Sequence, residues 1–181
     1  KLREKGIISK IKQYNHNVFD IGNIYVKEVN ENEKLTSNPD MKYFEALIEI
    51  NNNLAHVVNC SLASNCFPLI IGGDHSIALG SISGVSKFFN KKFAIVWFDA
   101  HGDINTFETS ESKNVHGMPL ASLMGYGHSK LKDLYYKDTK VKEDNVYHIG
   151  GRDIDFGEKE FIKNTDMNMY YPQDLSKKGL D

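Results

Sequence analysis

Cysteine is scarce in this chain. Cys60 and Cys66 are the two among 181 residues, on or just after an apparent helix and with no His partner expected nearby. They read as reduced thiols, which argues against a disulfide-stapled secreted scaffold and suggests a soluble, intracellular, cytoplasmic protein. Charge of one sign is missing too. Lys and Arg total 22 against 24 Asp and Glu, a net charge of −2, which leaves no electrostatic case for nucleic acid or an anionic membrane as partner. No apolar run approaches the roughly 20 residues of a membrane span. The opening residues Lys1-Leu2-Arg3-Glu4-Lys5 lead into no signal-peptide core. No repeat or linker divides the chain, and residues 1–181 are expected to form a single α/β domain.

The composition that remains, 40% apolar and 25% charged, is that of an ordinary globular domain with a proper core. Short β-rich apolar runs fall at 18–24, 67–71, 93–98, 146–149 and 167–171. Between them lie helical patterns. The clearest spans 41–62, where Phe44, Leu47, Ile48, Leu54, Ala55, Val58 and Leu62 recur at three-to-four spacing. Asn38 and Pro39 stand where a cap and a first helical residue belong. A second helix is expected over 76–89, with Gly80 and Gly84 marking close packing. A third is expected over 157–163, and another after Pro172. Strand and helix in alternation predict a parallel sheet covered by helices.

In such sheets ligands bind beyond the carboxyl ends of the strands. The polar clusters fall there. The run 67–71 leads into Gly72-Gly73-Asp74-His75, the run 93–98 into Asp99-Ala100-His101-Gly102-Asp103, and the run 146–149 into Gly150-Gly151-Arg152-Asp153-Ile154-Asp155. Taken singly, His75 or Asp99 could be a helix cap or a satisfied polar group. Carboxylate, imidazole and carboxylate at alternate positions 99, 101 and 103 look instead like a metal site. Oxygen and imidazole donors without thiolate suit Mn, Zn, Fe or Co.

These segments resemble the ureohydrolase family, arginases in particular. The likeness is carried by residues 72–84 (GGDHSIALGSISG), 97–106 (WFDAHGDINT), 112–119 (SKNVHGMP) and 149–158 (IGGRDIDFGE), in the family's order. The resemblance implies a three-layer α/β fold, a parallel sheet with helices on both faces, and a binuclear manganese centre in a homotrimer or hexamer. It implies hydrolysis of L-arginine to L-ornithine and urea by a metal-held hydroxide. By similarity His75, Asp99 and Asp103 hold one manganese, while Asp99 and His101 hold the other. Asp103 thus belongs to both the metal set and the catalytic set. Metals lower the pKa of bound water, toward roughly 7 in zinc sites. His116 matches a proton-shuttling residue, and an unperturbed imidazole titrates near pH 6.5, which suits that task. Asp74 is expected to support the ligands.

Substrate recognition follows by the same similarity. Asn105, Ser112 and Asn114 are expected to hold an α-carboxylate, with Ser110 as an extra donor. Asp155 is expected to face the α-ammonium, with Glu158 supporting that end. This polar set separates an arginase from an agmatinase, whose substrate has no α-carboxylate. The alternatives are an agmatinase or other ureohydrolase, and a non-catalytic arginase-like binding protein. Three positions depart from the family pattern. Gly102 replaces a bulkier residue, Lys113 stands where glycine is usual, and Phe156 where proline is frequent. The family's later Asp-x-Asp ligand motif does not occur before Asp181. The chain is therefore expected to be an incomplete copy of the domain, truncated at both ends.

Overall fold

The structure, a computed structural model, describes residues 2–174. The elements in chain order are α1 (Ile7–Lys12), α2 (Phe44–Ala63), α3 (Ala78–Phe89), β1 (Ile95–Phe98), α4 (Pro119–Leu123), α5 (Ser129–Lys132), β2 (Val146–Ile149), α6 (Phe156–Lys163) and β3 (Asn168–Tyr170). The strands form one parallel sheet in the order β1-β2-β3. Trp97 pairs with His148, and Phe98 with Ile149. Past the strand ends His101 bridges Asp153, with one residue more on the β2 side.

Side chains alternate across β1. Ile95 and Trp97 point inward, joining a core that includes Met41, Phe44, Ala55, Leu79, Leu120, Leu123 and Val146. Helices α2, α3 and α4 cover that face. Gly80 and Gly84 mark a close approach, as expected. A Cβ on Gly80 would stand 2.4 Å from the carbonyl oxygen of Asn51, and one on Gly84 2.4 Å from that of Ala55. Asn51 locks the crossing further, accepting from the Gly80 N–H at 2.8 Å while donating to the Leu47 carbonyl. The parallel sheet with flanking helices is thus present. Its other face is open at β1, where Val96 and Phe98 are exposed.

Three expectations change. The runs 18–24 and 67–71 are not assigned as strands in any sheet of the described residues, and Phe19, Ile21, Phe67, Leu69 and Ile71 are exposed. Strand propensity measures fit to a pleated surface, and these runs have no described neighbour to complete a ladder. Helix α2 begins at Phe44, not Met41. Asn38 instead accepts from the Asp40 N–H at 2.8 Å, closing a turn ahead of the helix. Both cysteines are free, as expected, but Cys60 does have a His neighbour, its Sγ lying 3.6 Å from His56 Nε2 one turn earlier. The helix expected after Pro172 extends outside the described residues. No described helix is long and apolar enough to cross a membrane.

Candidate metal centre and active site

His75 opens a short 3-10 turn, His75–Ile77, that leads into α3. Asp74 caps this turn, accepting from the Ser76 N–H at 3.0 Å and from the Ser76 hydroxyl at 2.5 Å. The His75 ring lies against Trp97, with centroids 4.5 Å apart. Its Nδ1 meets two carboxylates, Asp103 Oδ2 at 2.6 Å and Asp99 Oδ2 at 2.7 Å. Asp99 directly follows β1, and its other oxygen, Oδ1, faces His101 Nδ1 at 3.2 Å. The two oxygens of Asp99 therefore face two different histidines. Asp103 adopts a left-handed φ of 55°, a conformation Asp tolerates better than most residues. Burial pushes its carboxyl above the ordinary carboxylate range. Burial opposes ionisation at Asp99 too, but the His101 N–H and the His75 charge hold that carboxyl below it.

The ligand loop is tied to the end of β2. Arg152 and Asp153 both donate their N–H groups to the Ala100 carbonyl, at 2.8 and 2.9 Å. Glu158 fills the space beside Gly102, where a Cβ would stand 2.6 Å from Glu158 Oε1. Glu158 is 4% exposed and its side chain accepts from the Ile104 and Asp155 N–H groups. It completes a capping box with Asp155, which starts α6. Burial raises the Glu158 carboxyl above its ordinary range.

One cleft of about 690 Å³ joins these groups. His75, Asp99, His101 and Asp103 line one part of it, and Asn105, Asp155 and Glu158 also face it. His116 lines it as well, its Nδ1 3.3 Å from Asp74 Oδ2. Asp74 thus holds the turn of one imidazole and orients another. Asn105 donates to Asp155 Oδ2 at 2.7 Å and accepts from the Thr109 hydroxyl at 2.7 Å.

The family model for arginases matches residues 2–181. The chain belongs to the arginase family. It is 41% identical over 179 residues to an arginase of Brevibacillus brevis, an alignment covering 99% of this chain and 59% of that protein. An arginase of Bacillus subtilis is 37% identical over the same share of this chain and 59% of its own length. The crystal structure of an arginase from Bacillus cereus superposes with a TM-score of 0.88 at 40% identity, covering 98% of this chain and 58% of that one. The chain thus spans about 59% of the length of the curated relatives it matches.

Against this arginase frame the sequence-expected residues divide. His75, Asp99 and Asp103 converge on one point as a group able to hold a metal ion. His101 stands outside that trio, joined to it through Asp99. The donor set fits a divalent cation: two carboxylates approach one imidazole nitrogen, and the charge of Asp99 disfavours ionisation of Asp103. A cation there relieves that repulsion. Ser112 and Asn114 are not among the cleft-lining residues. They belong to a neighbouring loop, where Ser112 Oγ accepts from the Asn114 N–H at 3.2 Å and Ser110 Oγ from the Lys113 N–H at 3.1 Å. Lys113 has φ 58°, which explains why glycine suits that position. Its Nζ donates to the Pro39 carbonyl at 2.8 Å, tying the loop to the approach to α2. Phe156 is the first residue of α6, where a missing N–H costs nothing and proline is equally at home.

One neighbour of the site, His148, escaped the sequence reading, and Glu158, expected to support the α-ammonium end, has a further role as a cap. The Asp-x-x-Glu spacing of Asp155 and Glu158 is a capping-box signature. His148 lies in β2, fully buried, with Nε2 2.7 Å from the His101 carbonyl oxygen. Its only signal was a polar residue on the inward side of an apolar strand.

Proposed function

We propose that the complete protein hydrolyses L-arginine to L-ornithine and urea with two manganese ions. The observation that carries this reading is the meeting of His75, Asp99 and Asp103 at one point in a cleft shared with Asn105 and Asp155. His75, Asp99 and Asp103 would hold one ion, and Asp99 with His101 the second. When bound, such a pair supplies acidified water for attack on the guanidinium carbon. The chain's own residues do the rest. The carboxylates keep a cationic substrate tolerable beside divalent charge. His116, oriented by Asp74, passes a proton to the departing amine as the carbon–nitrogen bond breaks. Asp155 accepts from the α-ammonium, and Glu158 fixes that carboxylate through the capping box. Asn105 positions Asp155, and its other N–H serves the α-carboxylate, with Ser112 and Asn114 reaching it from the loop beside the cleft when substrate binds. Assembly as a homotrimer or hexamer belongs to the same proposal and rests on family resemblance, while a cytoplasmic location and a single domain rest on the composition and on the lack of a repeat or linker in the sequence.

Product analysis tests it. The manganese-loaded complete protein is expected to release urea and ornithine from arginine in equal amounts and to stop after chelation. Arginine hydrolysis that persists without metal would contradict the proposal.

A further inference from the structure

We propose that His148 is a positioning residue for the metal ligand His101, acting through the main chain. The inference rests on the reading of His101 as a ligand. His148 is 0% exposed, at the centre of the sheet and in register with Trp97. Its Nε2 lies 2.7 Å from the His101 carbonyl oxygen. A carbonyl only accepts, so the ring carries its hydrogen on Nε2. Nδ1 is buried without a hydrogen-bond partner among the described residues, and bears the lone pair.

This bond matters because the His101 side chain is loosely held. It is 63% exposed, and its nearest carboxylates are Asp99 at 3.2 Å and Asp153 at 3.7 Å. Its backbone is better fixed. The His101 N–H donates to Asp99 Oδ1 at 3.0 Å, and the carbonyl accepts from His148. The carbonyl belongs to the peptide joining His101 to Gly102, one residue before Asp103. Pinning that peptide plane sets the direction of the His101 side chain and the spacing between two ligands. Without the donor, a carbonyl facing the core would lack its partner and the peptide would turn to find another. His75, on a different segment beside Trp97, would keep its place.

The test uses the complete protein with Mn2+ as probe and the variants His148→Phe and His148→Gln. Phenylalanine fills the ring volume without a donor, while glutamine restores an N–H. Chelator-competition titration of the wild type is expected to show two bound equivalents. In His148→Phe one equivalent is expected to weaken about ten- to a hundredfold, the range for groups that orient metal ligands. The other equivalent should move only a few-fold, and His148→Gln should recover most of the loss. Unchanged affinity in a folded His148→Phe protein would overturn the inference, as would equal weakening of both equivalents. A wild type that binds no manganese would overturn the metal reading itself, and this inference with it. Should His148→Phe fail to fold, nitrogen-15 spectra of the metal-free wild type decide. Protonation at Nε2 with a bare Nδ1 is expected, and the opposite tautomer overturns the inference.

Discussion

Lys140 shows how single residues set the terms of this fold. Its ammonium is 1% exposed and donates to three carbonyls, of Lys132 at 2.6 Å, Tyr136 at 2.7 Å and Asp138 at 2.6 Å. The Tyr136 ring lies 4.2 Å from it. Three N–H groups thus close the loop, of whose carbonyls that of Tyr136 also accepts from the Asp138 N–H at 3.1 Å. Burial lowers the ammonium from 10.5 to about 8, with Lys91 adding to the fall and Asp133 and Asp138 opposing it. The folded chain therefore holds fewer protons at Lys140 than the unfolded chain between those two values. Its contribution to stability rises as pH climbs through that window. Lys140→Met removes the donors and is expected to cost about 1–3 kcal/mol near neutral pH. Urea unfolding of both proteins near pH 7 and near pH 9 should show a wider gap at the higher pH. A gap that narrows, or a more stable variant, would contradict this reading.

Among elements, the crossing of α2 and α3 carries the site, because α3 follows directly from the turn that presents His75. Gly80→Ala would set a methyl 2.4 Å from a backbone oxygen that has no rotamer to escape into. The expected cost is about 1–3 kcal/mol, with weaker metal binding, as thermal melts and metal titration would show. An unchanged melting temperature would mean that the helices separate freely. The same elements show what was legible in the chain. Strand β2 was read with the bounds it has, because an apolar run of four residues ends on Gly150-Gly151. The glycines of α3 were read as packing sites because glycine weakens a helix and its presence there suggests a close approach. The runs 18–24 and 67–71 misled because propensity does not name a partner strand. His75, Asp99 and Asp103 were legible because each lies just past an apolar run. His148 was not, since a buried donor that acts on a backbone carbonyl carries no sequence mark, while Glu158 was read as a support for the α-ammonium end and not as a cap.

At the scale of the whole molecule, apolar surface is distributed unevenly. Val96 and Phe98 are exposed on one face of β1, and Phe67, Leu69 and Ile71 stand exposed on the segment leading to His75. Exposed apolar groups beside an unpaired strand edge favour association. Lys1–Asp181 expressed alone is expected to self-associate with rising concentration in sedimentation velocity. A monodisperse monomer at all concentrations would show these surfaces to be covered. The central claim concerns the complete protein, and substrate choice tests it most directly. Arginine carries the α-carboxylate and α-ammonium that Asn105, Ser112, Asn114 and Asp155 are assigned to read, while agmatine lacks the carboxylate. Loss of a hydrogen bond to a charged group costs about 1.5–3 kcal/mol, or roughly ten- to a hundredfold. The decisive measurement is kcat/KM for urea release from each substrate by the manganese-loaded complete protein. A preference for arginine of at least about tenfold is predicted, and equal or faster turnover of agmatine would contradict the account.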